Sequence, residues 1–227
     1  MRAVFHAELD ELIGDLASMG RLTSQIMINA SAALLQADLA LAELVIARAD
    51  EMAAQHRDVE QRCITLCTRQ APDATELRTV VATLHAVGDL QRMGNLAQHT
   101  AKIARRTHPN LAVPDDVRPM IAWMSLLASG LAQQAATAIE KLDPLSGDRL
   151  ARADDEIDAL LRQLFRTLFA ENWSHGVEPA VRAALVGRYY ERFADHAVAI
   201  ASQVCNLSTG RMRSHSPVTL PKTASAV

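Results

Sequence analysis

The strongest constraint on the fold is an internal repeat. The stretch from Asp38-Leu39 to Ala49-Asp50-Glu51-Met52-Ala53 matches that from Asp143-Pro144 to Asp154-Asp155-Glu156-Ile157-Asp158 at an offset of 105 residues. Farther on, Gln91-Arg92-Met93-Gly94-Asn95 matches Glu191-Arg192-Phe193-Ala194-Asp195 at an offset of 100, so the second copy is five residues shorter in between. Two copies of one motif fold alike, which reduces the problem to one unit of about 100 residues, enough for a small core.

Apolar residues recur at spacings of three and four almost throughout, and the breaks between periodic stretches carry helix-capping chemistry rather than hairpin turns. The spacing predicts a first helix over about 5–37, ended before Asp38, whose carboxylate can accept amides of the next helix. The second then covers about 39–70 and stops at Pro72, and Asp73-Ala74-Thr75-Glu76 reads as a capping box for a third over about 74–107. A fourth is expected from near Pro114, a fifth after Asp143-Pro144 with Asp as cap and Pro in the first turn, and a sixth from near Glu178-Pro179 to Gly210. The expected fold class is all-α: two tandem three-helix bundles, residues 1–108 and 112–210, followed by a flexible tail over 211–227, which has no acid and no periodicity. Only 4% of residues are aromatic, which also argues against an all-β chain.

Charge and cysteine content narrow the functional classes. With 23 Lys plus Arg against 26 Asp plus Glu, the net charge of -3 provides no uniform basic field for nucleic acid. The amino terminus meets Glu8 before any apolar run of signal-peptide length, so no secretion signal is expected. Residues 119–139 carry no charge, but Ser125, Ser129, Gln133, Gln134 and Thr137 interrupt them, which predicts a buried bundle helix rather than a membrane span. Three cysteines, two of them four apart on one helix, suit reduced thiols and a cytoplasmic location.

The chemistry-bearing pattern is a set of carboxylates. Glu191 and Asp195 lie four apart on the sixth helix, and Asp154 and Asp158 four apart on the fifth. In an antiparallel pairing that brings Asp154 opposite Asp195, Asp158 falls opposite Glu191, and four acids converge. Two such charges about 4 Å apart repel by roughly 4 kcal/mol at an effective dielectric near 20, so the cluster calls for protons, a basic partner or a cation. Hard oxygen donors suit Mg, Mn, Fe or Zn. Acids at this spacing also form ordinary solvated faces, and Arg188 stands three residues before Glu191, placed to pair with it. The aligned positions of the first copy are Ala49, Ala53, Gln91 and Asn95, so at most one unit is competent for metal.

Other metal-like groupings read as structural. His56 and His99 lie about eleven residues, or roughly 16 Å, apart along the helix axis in the same register, too far to share an ion. Cys63 and Cys67 lie on one helix with no second pair at a matching position, which predicts buried thiols. The chain lacks a Gly-rich phosphate loop, a Gly-x-Ser-x-Gly elbow and a Glu-x-x-His di-iron pair, so no catalytic residues are assigned. An enzyme would have only the acid cluster to work with.

Arg188-Tyr189-Tyr190-Glu191-Arg192-Phe193-Ala194-Asp195-His196-Ala197 resembles the signature helix of the PhoU family, cytoplasmic regulators of bacterial phosphate uptake. Gln70 to Arg78, Asp89 to Asn95, Arg2 to Leu12 and Asp154 to Asp158 fit the same family in its own order, over about residues 2–210. The resemblance implies paired three-helix bundles, a homodimer, and a metal cluster held by Asp154, Asp158, Glu191 and Asp195. It also implies a negative regulator of phosphate uptake and starvation signalling. Such an adaptor links the ATPase subunit of the phosphate-specific ABC transporter to a membrane sensor histidine kinase, with room for peripheral membrane association. The alternatives are a metal-dependent enzyme using the acid cluster, and a helical paralogue regulating another transporter. Ala199, where many members carry Asn, departs from the signature.

Overall fold

A computed structural model describes residues 2–209. They form six helices, with no strand among the described residues: α1 (Arg2–Gln36), α2 (Leu39–Arg69), α3 (Ala74–Thr107), α4 (Arg118–Lys141), α5 (Ser146–Leu168) and α6 (Val177–Thr209). The expected stop at Gly210 and the tail over 211–227 lie outside the described residues.

The first helix begins at Arg2, a few residues before the expected start, while its end and both ends of α2 and α3 fall where capping chemistry places them. Ala37 takes a left-handed turn at φ 54°, after which the Asp38 carboxylate accepts the Leu41 amide at 2.9 Å and opens α2. Asp73 accepts the amides of Thr75 and Glu76 while Glu76 accepts that of Asp73, a complete capping box. Two later starts differ from expectation. The fourth helix begins at Arg118 rather than near Pro114, because residues 114–117 form a turn in which the Val117 and Arg118 amides bond the Pro114 carbonyl. That turn inserts Val113 and Val117 into the core, and Pro119 takes the first-turn position instead. The fifth begins at Ser146: Asp143 is not its cap but organises the preceding turn, accepting the Leu145 amide at 2.9 Å and Arg149 at 2.9 Å.

Each copy closes a three-helix bundle, α1 with α2 and α3, and α4 with α5 and α6. The bundles join because α1 also packs on α4 and α3 on α6, so α1, α3, α6 and α4 make a central four-helix ring flanked by α2 and α5. At the α1–α4 seam the backbones approach closely: a Cβ on Gly20 would lie 2.9 Å from the Cβ of Ala136, and Ser24 donates to the Ser129 carbonyl at 2.9 Å. Across the centre, the fully buried Tyr190 of α6 meets Ser31 of α1 through their hydroxyls at 2.8 Å. Apolar side chains from all six helices form one continuous core, including Met27, Leu34, Met93, Met124 and Phe193. The charge-free window is α4, with Ile121, Met124, Leu131 and Ile139 buried, and no described helix is long and apolar enough to cross a membrane.

Candidate metal centre

Antiparallel packing of α5 on α6 fixes the acids. Ser146 at the start of α5 donates to the Ala201 carbonyl, Gly147 abuts Ser202, and Leu161 and Leu164 close over Gly187. This register places Asp154 across from Asp195 and Asp158 across from Glu191, the supposed pairing in which the spacing makes all four acids converge. Small residues bring the helices together: a Cβ on Gly187 would lie 2.6 Å from a Leu164 methyl.

The electrostatics are those of crowded like charges. Burial pushes Asp154 up to about 7, aided by the charges of Asp195, Asp158 and Glu191. Burial likewise raises Glu191 to about 7, with Asp195 adding to the rise and Arg188 opposing it. Asp195 is also raised, first by desolvation and then by Asp158. Glu191 is only 8% exposed and its Oε1 is ion-paired with Arg188, so the salt-bridged reading holds for that oxygen. Its Oε2 and the Asp154 Oδ1 are buried with no hydrogen-bond partner. Buried carboxylate oxygens normally find a donor, so two orphans among mutually repelling acids fit a cation as their missing partner. Among the described residues, however, no group of three or more His, Cys, Asp or Glu side chains is arranged to hold a metal ion.

The corresponding surface of α2 and α3 has different chemistry. Ala49 is buried and Asn95 exposed, and Met52 fills the space beside Gly94. His99 does not approach His56; its ring lies 5.5 Å from that of Tyr189 on α6, and desolvation followed by the charges of Lys102 and Arg106 lowers its pKa. Cys63 is fully buried and its thiol is pushed up to about 11 by burial, whereas Cys67 is half-buried.

One polar assembly was not visible in the spacing. Asp89 of α3, 8% exposed, bonds His196 Nδ1 at 3.0 Å and accepts Gln203 Nε2 at 3.2 Å, both on α6, tying the two copies together. His196 stands in the signature stretch, but its partner is 107 residues away and the repeat-aligned positions are Tyr189 and Leu96, so no pattern within a copy announces the pair.

The PhoU domain matches this chain twice, over residues 16–104 and 121–204. The chain belongs to the PhoU family. Phosphate-specific transport system accessory protein PhoU homolog 2 of Mycobacterium tuberculosis is 42% identical over 210 residues, which cover 92% of this chain and 99% of that protein. PhoU homolog 1 of the same species is 40% identical, over 92% and 95%. The crystal structure of PhoU from Pseudomonas aeruginosa superimposes with a TM-score of 0.82 at 25% identity, covering 91% of this chain and all of that one. PhoU from Streptococcus pneumoniae, at 22% identity and a TM-score of 0.81, shares the fold. The two PhoU matches contain the two halves of the ring, and the second contains all four acids.

Proposed function

We propose that this PhoU-family chain is an accessory protein of phosphate transport that acts as a negative regulator of uptake and of phosphate-starvation signalling. The carrying observation is the near full-length match to proteins named phosphate-specific transport system accessory proteins, over 92% of this chain and 99% of the relative. In this reading the protein is a cytoplasmic homodimer that bridges the ATPase subunit of the phosphate-specific ABC transporter and a membrane sensor histidine kinase. Long helices with exposed apolar positions, such as Leu126 and Val181, suit protein contacts better than a reaction centre.

The acid cluster belongs to this proposal as a single metal site. Asp154, Asp158, Glu191 and Asp195 would hold an Fe, Mn, Mg or Zn cation, whose charge would relieve their mutual repulsion and brace α5 against α6. Binding requires side-chain rotation, with Glu191 loosening its contact to Arg188. Deleting the gene and following a phosphate-starvation reporter tests the regulatory role. Expression in phosphate-rich medium, reversed by the wild-type gene, is the expected result; a reporter that stays silent without the gene refutes it.

A further inference from the structure

Where α3 ends and α6 begins, the two copies leave a cleft of about 430 Å³ that spans their junction. Arg106 and Arg182 face it from opposite helices, joined by Asn110 from the connecting segment. Arg182 is held in place, its Nε donating to the Ala112 carbonyl at 3.1 Å while the guanidinium pairs with the exposed Glu178. Arg106 is exposed and has neither an ion pair nor a hydrogen-bond partner among the described residues, in contrast to its neighbour Arg105, which pairs with Glu43. Two guanidinium groups against one carboxylate leave the cleft with an excess positive charge.

Helix building does not explain these side chains. At the repeat-aligned position the first copy has Ala82 in place of Arg182 and forms its helix equally well.

We infer that this cleft binds a phosphate oxyanion, free or carried on a small organic molecule, between the forks of Arg106 and Arg182. A guanidinium offers paired donors matched to phosphate oxygens. Glu178 is the internal competitor that the anion displaces from Arg182. The volume exceeds that of one oxyanion, and Leu111 and Leu185, each 43% exposed on the rim, provide an apolar wall for an organic body. The inference deepens the regulatory reading and rests on it for the choice of phosphate among oxyanions, giving the regulator a direct means of reading phosphate status.

The test is calorimetric titration of the full chain near neutral pH with inorganic phosphate and with phenyl phosphate, using sulfate at matched ionic strength as the reference anion. Saturable phosphate binding is expected, weakened roughly tenfold or more in Arg106→Gln, the loss appropriate to one charge-assisted contact. Glu178→Gln should bind more tightly, and Arg105→Gln, outside the cleft, should bind as wild type does. Tighter binding of phenyl phosphate supports the site with an organic phosphate as its ligand; equal binding supports it with free phosphate. Absence of saturable binding, equal response to sulfate, or equal weakening in Arg105→Gln overturns the inference. Reporter repression is a separate readout, so failure of the cleft leaves the regulatory role standing, and failure of repression leaves phosphate binding standing.

Discussion

Replacing Glu191 with Gln should stabilise the metal-free protein at alkaline pH. The substitution installs what the first copy already carries at Gln91, keeps the side-chain shape, and leaves an amide oxygen for Arg188. Its magnitude follows from the rise of Glu191 from an ordinary 4.5 to about 7. Below 4.5 the carboxyl is protonated in both folded and unfolded chains and carries no penalty. Between 4.5 and about 7 the folded protein retains a proton that the unfolded chain has released, so stability falls as pH rises, and above about 7 the whole penalty is present. At 1.36 kcal/mol per pH unit, that penalty is about 3 kcal/mol for a side chain 8% exposed. Relaxation of the cluster makes this an upper figure, since Asp154 and Asp195 share the same repulsion. Urea unfolding of chelator-treated wild type and Glu191→Gln at pH values of about 4 and 8 measures the difference. The expected gain is up to about 3 kcal/mol at the higher pH and near zero at the lower. A variant no more stable than wild type at the higher pH, or equally stabilised at both, would refute the argument that uncompensated charge strains this site.

Further substitutions probe the scaffold. Gly20→Ala should cost about 1–3 kcal/mol by forcing α1 from α4, whereas Gly88→Ala, with open space around it, should gain about 0.5–1 kcal/mol from helix propensity; thermal unfolding of both separates packing from propensity. Asp89→Ala should cost about 1–3 kcal/mol by leaving His196 and Gln203 without their shared acceptor, and a neutral result in urea unfolding would remove that pair from the forces joining the copies. Cys63 should resist alkylation near pH 8 in the folded protein and react after unfolding, as followed by mass spectrometry; rapid labelling of the native protein would contradict its burial.

The architecture was legible because its determinants are local and occur twice. Asp38, Asp73 and Glu76 mark helix ends by hydrogen bonds that close within three residues, and the repeat supplies a second reading of the same unit. That Asp158 faces Glu191 once Asp154 faces Asp195 was legible, because acids four apart on two antiparallel helices pair together; the register itself comes from Ser146 on Ala201 and the leucines over Gly187. The starts of α4 and α5 were misplaced for a different reason. A proline such as Pro114 or Pro144 suits both a first helical turn and the turn before it; what decides at α4 is burial of Val113 and Val117, and at α5 the bonds of Ser146 to the Asp143 and Ala201 carbonyls. Asp89 with His196, and Arg106 with Arg182, were invisible because each pair joins different copies at positions where the repeat is broken. Contacts between copies depend on how α3 lies on α6, which no periodicity within one helix records.

Reconstitution decides whether the protein bridges transporter and kinase. The purified chain is mixed with the transporter's ATPase subunit and the detergent-solubilised sensor kinase, each alone and then together, and the complexes are resolved by size-exclusion chromatography. A bridging protein makes ATPase and kinase co-elute only when it is present. Co-elution of those two without it, or failure of the folded chain to bind either one, would contradict the bridge.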